Sequence, residues 1–176
     1  RAGVLCNSCG EDDCPTMPVT ITPALTPSDY AAFASLVSDY AAWCRERYRD
    51  DTWFVDQVFG HQSLASELED LPLKYNPPKG RAFLAREDGV VCGCGAYRWI
   101  GEAAVEMKRL FIPEAFAGRG LGRALCEALI QWAVDAFAPH LCLTASMTDA
   151  VLIDLAVKVE PGIEGVFIDT GYHSPE

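Results

Sequence analysis

A glycine-rich turn between a strand-like segment and a helix-like segment constrains the fold of this chain most. The turn covers residues 117–123 and has glycine at every second position from Gly118 to Gly122. Residues 105–112 before it read as an apolar strand, and apolar residues after it recur every three or four positions, as on one face of a helix. In such a strand–turn–helix unit the backbone can approach an anion closely, and the first helical N–H groups point at it. The sequence therefore predicts a phosphate-binding loop.

The spacing of the turn narrows the class of phosphate ligand. The glycines read G-x-G-x-G, and Arg123 stands where a dinucleotide-binding G-x-G-x-x-G would have its third glycine. No G-x-x-x-x-G-K-[ST] sequence is present either. Arg119 and Arg123 add positive charge to a helix N-terminus that already carries about half a charge from its dipole. The alternative is a glycine-bearing helix start that binds no ligand.

The turn resembles the coenzyme A motif of the GNAT superfamily of N-acetyltransferases, written [QR]-x-x-G-x-[GA]. One position departs from that motif, because Ala117 stands where Gln or Arg is usual; this removes a side-chain donor but keeps the backbone N–H, so we expect weaker cofactor binding. By this resemblance acetyl-CoA binds to the end of the strand and to the turn. The residues implied are Leu110, Phe111, Ile112, Ala117, Gly118, Arg119, Gly120, Leu121, Gly122 and Arg123.

The order of predicted elements fits the fold that this resemblance implies. Strands at 81–86, 90–100 and 103–112 form an antiparallel meander, with a hairpin at Asp88-Gly89, and this meander ends at the glycine turn. Earlier elements are a strand at 19–22 and helices near 26–49, 53–59 and 64–71; later ones are a strand at 140–144, a helix at 148–159 and a strand at 165–169. We expect an α/β fold with a mixed, mostly antiparallel sheet and helices on both faces. One parallel, splayed strand pair should flank the helix after the turn.

The first sixteen residues differ from the rest of the chain. Cys6, Cys9 and Cys14 supply three thiols, whereas a structural zinc site needs four ligands. We interpret residues 1–16 as a leader that is disordered or foreign to the native protein, and residues 17–176 as a single domain. A zinc site or a local disulfide is the alternative for the leader. The other cysteines lie in apolar runs and read as small buried side chains in a reducing compartment; they are Cys44, Cys92, Cys94, Cys126 and Cys142.

The charge and the apolar pattern exclude several classes of partner. The formal net charge is −11 and the pI is about 4.6, so a nucleic acid backbone would be repelled. No apolar run approaches the roughly 20 residues of a membrane helix, and no signal peptide is visible, so we expect a cytoplasmic protein without a membrane. The acidic balance is compatible with an amine as partner.

A base is needed to take a proton from an attacking amine, and the resemblance places an acidic residue on the strand before the turn. Glu106 is our candidate. It should share a strand face with Leu110 by two-residue alternation, and its neighbours Val105 and Met107 are apolar, which suits a proton acceptor near neutral pH. The alternative is a structural ion pair of Glu106 with Arg98, Lys108 or Arg109.

The general acid and the acceptor pocket are less defined by the sequence. GNAT proteins often carry a tyrosine on the last helix, but residues 146–156 contain none, so Tyr172 is our candidate acid and Ser146 a substitute. The resemblance places the acceptor pocket between the first two strands. Candidate pocket residues there are Trp53, Phe54, Gln57, His61 and Tyr75. The alternative is that the aromatic residues belong to the core and that His61 lies in an exposed loop.

The resemblance as a whole implies an N-acetyltransferase that moves an acetyl group from acetyl-CoA to a primary amine by direct attack, without a metal. The acceptor is a small-molecule or peptide amine, and a homodimer is compatible with an exposed sheet edge. Two alternatives remain. One is a CoA-binding sensor domain of the same fold without turnover, and the other is a structural α/β domain that binds no nucleotide.

Overall fold

The computed structural model describes residues 19–61, 63–101, 104–144 and 150–166. The expectations for the leader at 1–16, with Cys6, Cys9 and Cys14, and for Ser146 and Tyr172 fall outside the described residues.

The chain alternates between a sheet and helical segments. The strands are β1 (Val19–Pro23), β2 (Gly80–Glu87), β3 (Val90–Trp99), β4 (Val105–Phe111), β5 (Cys142–Thr144) and β6 (Glu164–Val166). The helices are α1 (Pro27–Arg47), α2 (Thr52–His61), α3 (Leu64–Glu69), α4 (Leu71–Tyr75), α5 (Leu121–Phe137) and α6 (Ala150–Val159). Short 3-10 turns lie at Arg49–Asp51 and Glu114–Phe116.

The first four strands form one antiparallel sheet in the order β1-β2-β3-β4. Asp88 and Gly89 join β2 to β3 with positive φ angles of 50° and 78°. Two successive residues with positive φ match the twist of a tight hairpin, which is why the Asp-Gly pair was diagnostic. The predicted meander that leads into the glycine turn is confirmed.

A parallel strand pair is present, formed by β5 and β6, from Cys142 opposite Glu164 to Thr144 opposite Val166. The two strands that flank the helix after the turn, β4 and β5, are not hydrogen-bonded to each other among the described residues, as expected of a splayed pair. Within the described ranges β4 therefore has a strand partner on one side only. The mixed α/β class is confirmed.

Helices cover both faces of the sheet, as expected. Alternation along β2 sends Ala82 and Leu84 into a core with α1 and α4, and sends Phe83 and Ala85 into a core with α5. On the α5 face the sheet has no side chain at Gly95, where a Cβ atom would lie 3.0 Å from the Leu129 side chain. This close approach fixes α5, and with it the glycine turn, against the sheet.

The burial of the cysteines and the length of the helices test two further expectations from the sequence. Cys44, Cys92 and Cys94 are buried free thiols, as predicted, whereas Cys126 is only partly buried. Cys142 is exposed on β5, because this short strand lies outside the four-stranded sheet. In the described part of the chain every helix is too short or too polar to cross a bilayer.

Candidate functional site

The glycine turn has the backbone conformation of an open anion cradle. Gly118 and Gly120 both have φ of +78°, which side-chain-bearing residues rarely adopt, and a Cβ atom at either position would meet nothing within 4 Å. Gly120 is the N-cap of α5, and no side chain of the described residues caps that end of the helix. The N–H groups of the first turn are therefore not capped by a side chain of the described residues, as a phosphate site requires.

Ala117, which the resemblance assigned to the cofactor, has its backbone donor already engaged. The backbone N–H of Ala117, which we had left available to the cofactor, donates to the carbonyl oxygen of Glu114 at 3.1 Å. It closes the short 3-10 turn at Glu114–Phe116. Ala117 thus offers neither a side-chain donor nor its main-chain donor, and the candidate cradle comprises residues 118–123.

Arg119 is bound to the β2–β3 hairpin rather than left free beside the turn. Its guanidinium lies 2.6 Å from the carboxylate of Glu87 and donates to the carbonyl oxygen of Ala115 at 3.0 Å. It also lies over the Phe116 ring, 5.3 Å from the centroid. These contacts neutralise its charge and hold the turn to the sheet.

Arg123 is likewise paired within the chain. Its Nε lies 2.8 Å from the carboxylate of Glu127, one turn further along α5. Hydrogen bonding to that carboxylate raises the pKa of the Arg123 guanidinium. With both arginines engaged, the attraction of the cradle for an anion comes chiefly from the backbone N–H groups and the helix dipole.

A bulge interrupts β4 just before the turn. Ala96 pairs with Lys108 and Cys94 pairs with Phe111, so β4 carries one more residue than β3 over this interval. Arg109 takes the irregular position with φ of 57°. Such a bulge reverses which face the following side chains occupy.

The bulge determines which face of the sheet is occupied by each of the three residues at this strand end that the resemblance assigned to the cofactor. Leu110 faces α5, since its side chain would contact a Cβ atom placed on Gly95. Phe111 faces α1, where its ring lies 5.6 Å from that of Tyr40 and 6.5 Å from that of Trp43. Ile112 packs into the α5 core. The outer edge of this segment has no strand beside it in the described structure, as the binding of a peptide-like ligand requires.

A buried polar cluster holds the bulge. Glu67 is 2% exposed and accepts hydrogen bonds from Arg109 at 2.8 and 2.9 Å and from the Tyr75 hydroxyl at 2.8 Å. Burial opposes ionisation of Glu67, but the bonds from Arg109 and Tyr75 outweigh it and lower the pKa of the carboxyl group. Burial and the Glu67 charge raise the pKa of Tyr75, so its phenol stays protonated.

Glu106 forms ion pairs that the sequence analysis named as its alternative role. Its side chain is 42% exposed and lies 3.4 Å from the ammonium of Lys108 and 3.9 Å from the guanidinium of Arg98. The apolar residues Val105 and Met107 next to it in sequence point to the opposite face of the sheet. The bulge also places Leu110 on that opposite face, so Glu106 does not share a face with it. Glu106 shares the α1 side of the sheet with Phe111 instead.

A cavity of about 490 Å³ opens between α1 and α2 on this same side of the sheet. Two of the predicted pocket residues line it, namely Trp53 and Phe54, whose side chains are 66% and 55% exposed. Tyr40 also lines the cavity, and its ring lies 5.8 Å from that of Phe59 and 5.6 Å from that of Phe111. The cavity thus meets β4 at the strand end that precedes the glycine turn.

The other predicted pocket residues lie apart from this cavity. Gln57 and His61 are exposed on α2 and do not line it. Tyr75 is 0% exposed and packs edge-on against Phe33, so it belongs to the core and to the Glu67 cluster rather than to a pocket. Sequence reasoning missed the other residues that line the cavity, although the four-residue spacing of the first three of them was a signal; they are Tyr40, Cys44, Tyr48, Asp51, Val55, Val58 and Phe59.

A larger cavity of about 860 Å³ separates β4 from β5, as a splayed pair of strands requires. It is lined mostly by apolar residues from the start of β4, the second half of α5 and β5, among them Val105, Met107, Trp132 and Leu143, and Glu106 lines it as well. None of the cradle residues 118–123 lines it. Despite its size, it lies at the far end of β4 from the glycine turn. We therefore place the candidate site at the turn and the smaller cavity. Within the described residues no cluster of metal-ligating side chains is found.

Comparison with known proteins gives one family match and several partial ones. A model described as the acetyltransferase (GNAT) family matches residues 33–156. An acetyltransferase of the GNAT family from Staphylococcus aureus Mu50 has a similar fold, with a TM-score of 0.50 at 13% identity over 68% of each chain.

The curated relatives match only locally. Adenosine 5'-phosphosulfate reductase of Streptomyces coelicolor is 47% identical over 60 residues, which are 34% of this chain and 25% of that protein. The corresponding reductase of Mycobacteroides abscessus is 43% identical over 65 residues, 35% of this chain and 27% of that protein. The chain thus spans about a quarter of the length of these relatives.

The family match extends from α1 to α6, and it includes β4, the bulge, the cradle and the cavity between α1 and α2. The four-stranded sheet, the helices on both faces and the glycine turn before α5 agree with it. This chain therefore belongs to the GNAT family of acetyltransferases.

Proposed function

We propose that this chain is an acyltransferase that moves an acetyl group from acetyl-CoA to a primary amine. The observation that carries the proposal is the position of Phe111. This residue ends β4 just before the cradle, and its ring contacts Tyr40, which lines the cavity between α1 and α2. A donor bound along the strand end and an acceptor in the cavity would therefore meet at one residue.

The cradle and the strand edge fit the two parts of the donor. The N–H groups of residues 118–123 suit the diphosphate, because both glycines with positive φ leave the space above them open. The edge of β4 that has no strand partner among the described residues suits the peptide-like arm of coenzyme A, which offers amide groups to a strand. An N–H near Phe111 or Ile112 is the proposed donor to the thioester oxygen as charge develops there.

The transfer needs one new bond and one broken bond. The amine nitrogen bonds to the carbonyl carbon of the thioester, the carbon–sulfur bond breaks, and the thiolate leaves with the electron pair. The amine proton passes to a base, for which Glu106 remains our candidate. Glu106 and Phe111 lie on the same side of the sheet but on the order of 13 Å apart along the strand, so the proton would travel through water. The residue that protonates the thiolate is proposed to be Tyr172.

The experiment is a thiol-release assay with acetyl-CoA and a panel of amines. We expect amine-dependent release of coenzyme A and a product whose mass has increased by one acetyl group. Thermal unfolding with acetyl-CoA is measured alongside, since ligand at a hundred times its Kd stabilises a protein by about 2.7 kcal/mol. Absence of both turnover and a thermal shift would overturn the proposal.

A second candidate is a CoA-binding domain with little or no turnover. Two observations favour it: Glu106 faces two cations, and Arg119 and Arg123 are both bound to carboxylates of this chain. The two cations make Glu106 a weaker proton acceptor. The carboxylates that bind Arg119 and Arg123 weaken the attraction of the cradle for acetyl-CoA. Stabilisation by acetyl-CoA without turnover of any amine supports this candidate over the first.

A further inference from the structure

We propose that the acceptor is an elongated diamine, with one ammonium group held at Asp51 and the other amine presented at Phe111. This inference rests on the proposed function, and it names the substrate class of the cavity between α1 and α2. It follows from the charge of that cavity, from its aromatic walls and from its length.

The charge of the cavity is set by one residue. Asp51 is the one ionic side chain among the described residues that line it, and the remaining lining is aromatic, aliphatic or a thiol. The neighbouring Asp56 is held by Arg45 at 2.8 Å and is thereby neutralised. In the described structure no cation pairs with Asp51, whose carboxylate is left to a ligand. An anionic ligand would be repelled at this end, and a cationic one attracted.

The walls of the cavity suit an alkylammonium ion. Tyr48, Trp53 and Phe54 are all large aromatic residues with exposed rings, and the Trp53 and Phe54 rings meet edge to face at 5.9 Å. Exposed aromatic residues grouped beside one carboxylate attract a cation through their ring faces, and they also cover the methylene groups of a ligand. The overall net charge of −11 acts in the same direction.

The cavity has two distinct ends. Tyr40 and Cys44 line it from successive turns of one face of α1, and Tyr48, the C-cap of this helix, follows four residues later. Eight residues of helix separate Tyr40 from the end at Tyr48, which corresponds to about 12 Å. Tyr40 contacts Phe111, whereas Asp51 follows the Tyr48 end. A ligand that satisfies both ends must therefore carry a cation at one end and the reacting amine at the other.

The test uses three amines of the same chain length that differ only at the far end. Hexamethylenediamine has a cationic end, hexylamine an apolar end and aminohexanoic acid an anionic end. We expect kcat/KM with acetyl-CoA to fall in that order. The diamine should exceed hexylamine by about tenfold, the combined effect of a carboxylate partner and aromatic walls.

Two variants test whether the preference for the diamine depends on the carboxylate of Asp51. Asp51→Asn should raise KM for the diamine about tenfold and leave hexylamine nearly unchanged. Asp50→Asn is the matched control, because Asp50 is the preceding residue, is exposed and does not line the cavity; it should retain the preference. Equal use of diamine and hexylamine, or equal loss on both amines in Asp51→Asn, would overturn the inference.

A binding measurement distinguishes failure of the diamine site from failure of the proposed acetyl transfer. If no amine is acetylated, titration calorimetry with hexamethylenediamine tests the cavity without chemistry. Binding that weakens in Asp51→Asn but not in Asp50→Asn supports the diamine site in a domain that does not turn over. Absence of diamine binding to the unmodified protein overturns the inference.

Discussion

Arg109 and Glu67 form a two-point ion pair across 42 residues of sequence, with nitrogen–oxygen distances of 2.8 and 2.9 Å. Arg109 is the residue at the bulge of β4, and Glu67 belongs to α3 on the α1 side of the sheet. The pair thus ties the irregular end of β4 to a helix. Phe111, two residues further on, is turned toward Tyr40 because of that bulge.

Glu67→Ala should destabilise the protein by about 3–5 kcal/mol, because it removes one partner of a buried ion pair and leaves a cavity. Tyr75→Phe, which removes only one hydrogen bond to the same carboxylate, should cost about 1 kcal/mol. Urea unfolding monitored by circular dichroism measures both. Equal, small losses in the two variants would show that the ion pair does not stabilise the fold.

The sequence identified the glycine turn because its requirement is local. Positive φ at Gly118 and Gly120 and a free helix N-terminus follow from a few neighbouring residues. The partners of Arg119 were not predictable in the same way, since Glu87 reaches it only after β2 and β3 have paired. Whether an arginine serves a ligand or an internal carboxylate is decided by tertiary contacts.

The bulge explains the main error about Glu106. Two-residue alternation from Glu106 predicts a shared face with Leu110, but a residue with positive φ at Arg109 resets the alternation. Arginine is an unusual residue in this conformation, and its cost is offset by Glu67, which is distant in sequence. Tyr75 was assigned to a pocket for a related reason, because its burial depends on the same distant carboxylate.

Gly120→Val should raise KM for acetyl-CoA several-fold more than it lowers kcat, because the added side chain fills the open space above the cradle. It also introduces backbone strain of about 1–2 kcal/mol at a φ of +78°. Gly89→Val is the matched control, since Gly89 has the same φ and equally open surroundings but lies in the β2–β3 hairpin.

Steady-state kinetics with varied acetyl-CoA, together with thermal unfolding, separates strain from lost binding. Both variants should lose stability, and only Gly120→Val should lose affinity for the donor. A similar rise in KM in the two variants would argue against the cradle.

Asp29→Asn should make the free energy of unfolding less dependent on pH in the acidic range. Hydrogen bonds from the backbone N–H groups of Thr26 and Leu25, with Arg86 nearby, lower the pKa of Asp29 from 3.8 to about 2. Because the folded pKa is below the unfolded one, the ionised group stabilises the fold above about pH 4, and this contribution is lost as the pH falls toward 2.

Urea unfolding between pH 2 and pH 5 compares the variant with the unmodified protein. The stability difference should be largest at the upper end of this range and shrink as the pH falls. Asp39→Asn, at an exposed position of the same helix, is the control. A difference that stays constant with pH would mean that the charge of Asp29 does not contribute.

Glu106→Gln tests the base that we propose for the amine. If Glu106 takes the proton, kcat should fall by about 10²–10⁴-fold, while KM for acetyl-CoA changes little, because the side chain lies away from the cradle. The ion pairs with Lys108 and Arg98 are lost in the same variant, so stability must be measured with it. Glu46→Gln is the control, since Glu46 is an exposed glutamate paired with Arg49 on the surface. Unchanged kcat with full stability would exclude Glu106 from the reaction. Its role would then be limited to the ion pairs with Lys108 and Arg98.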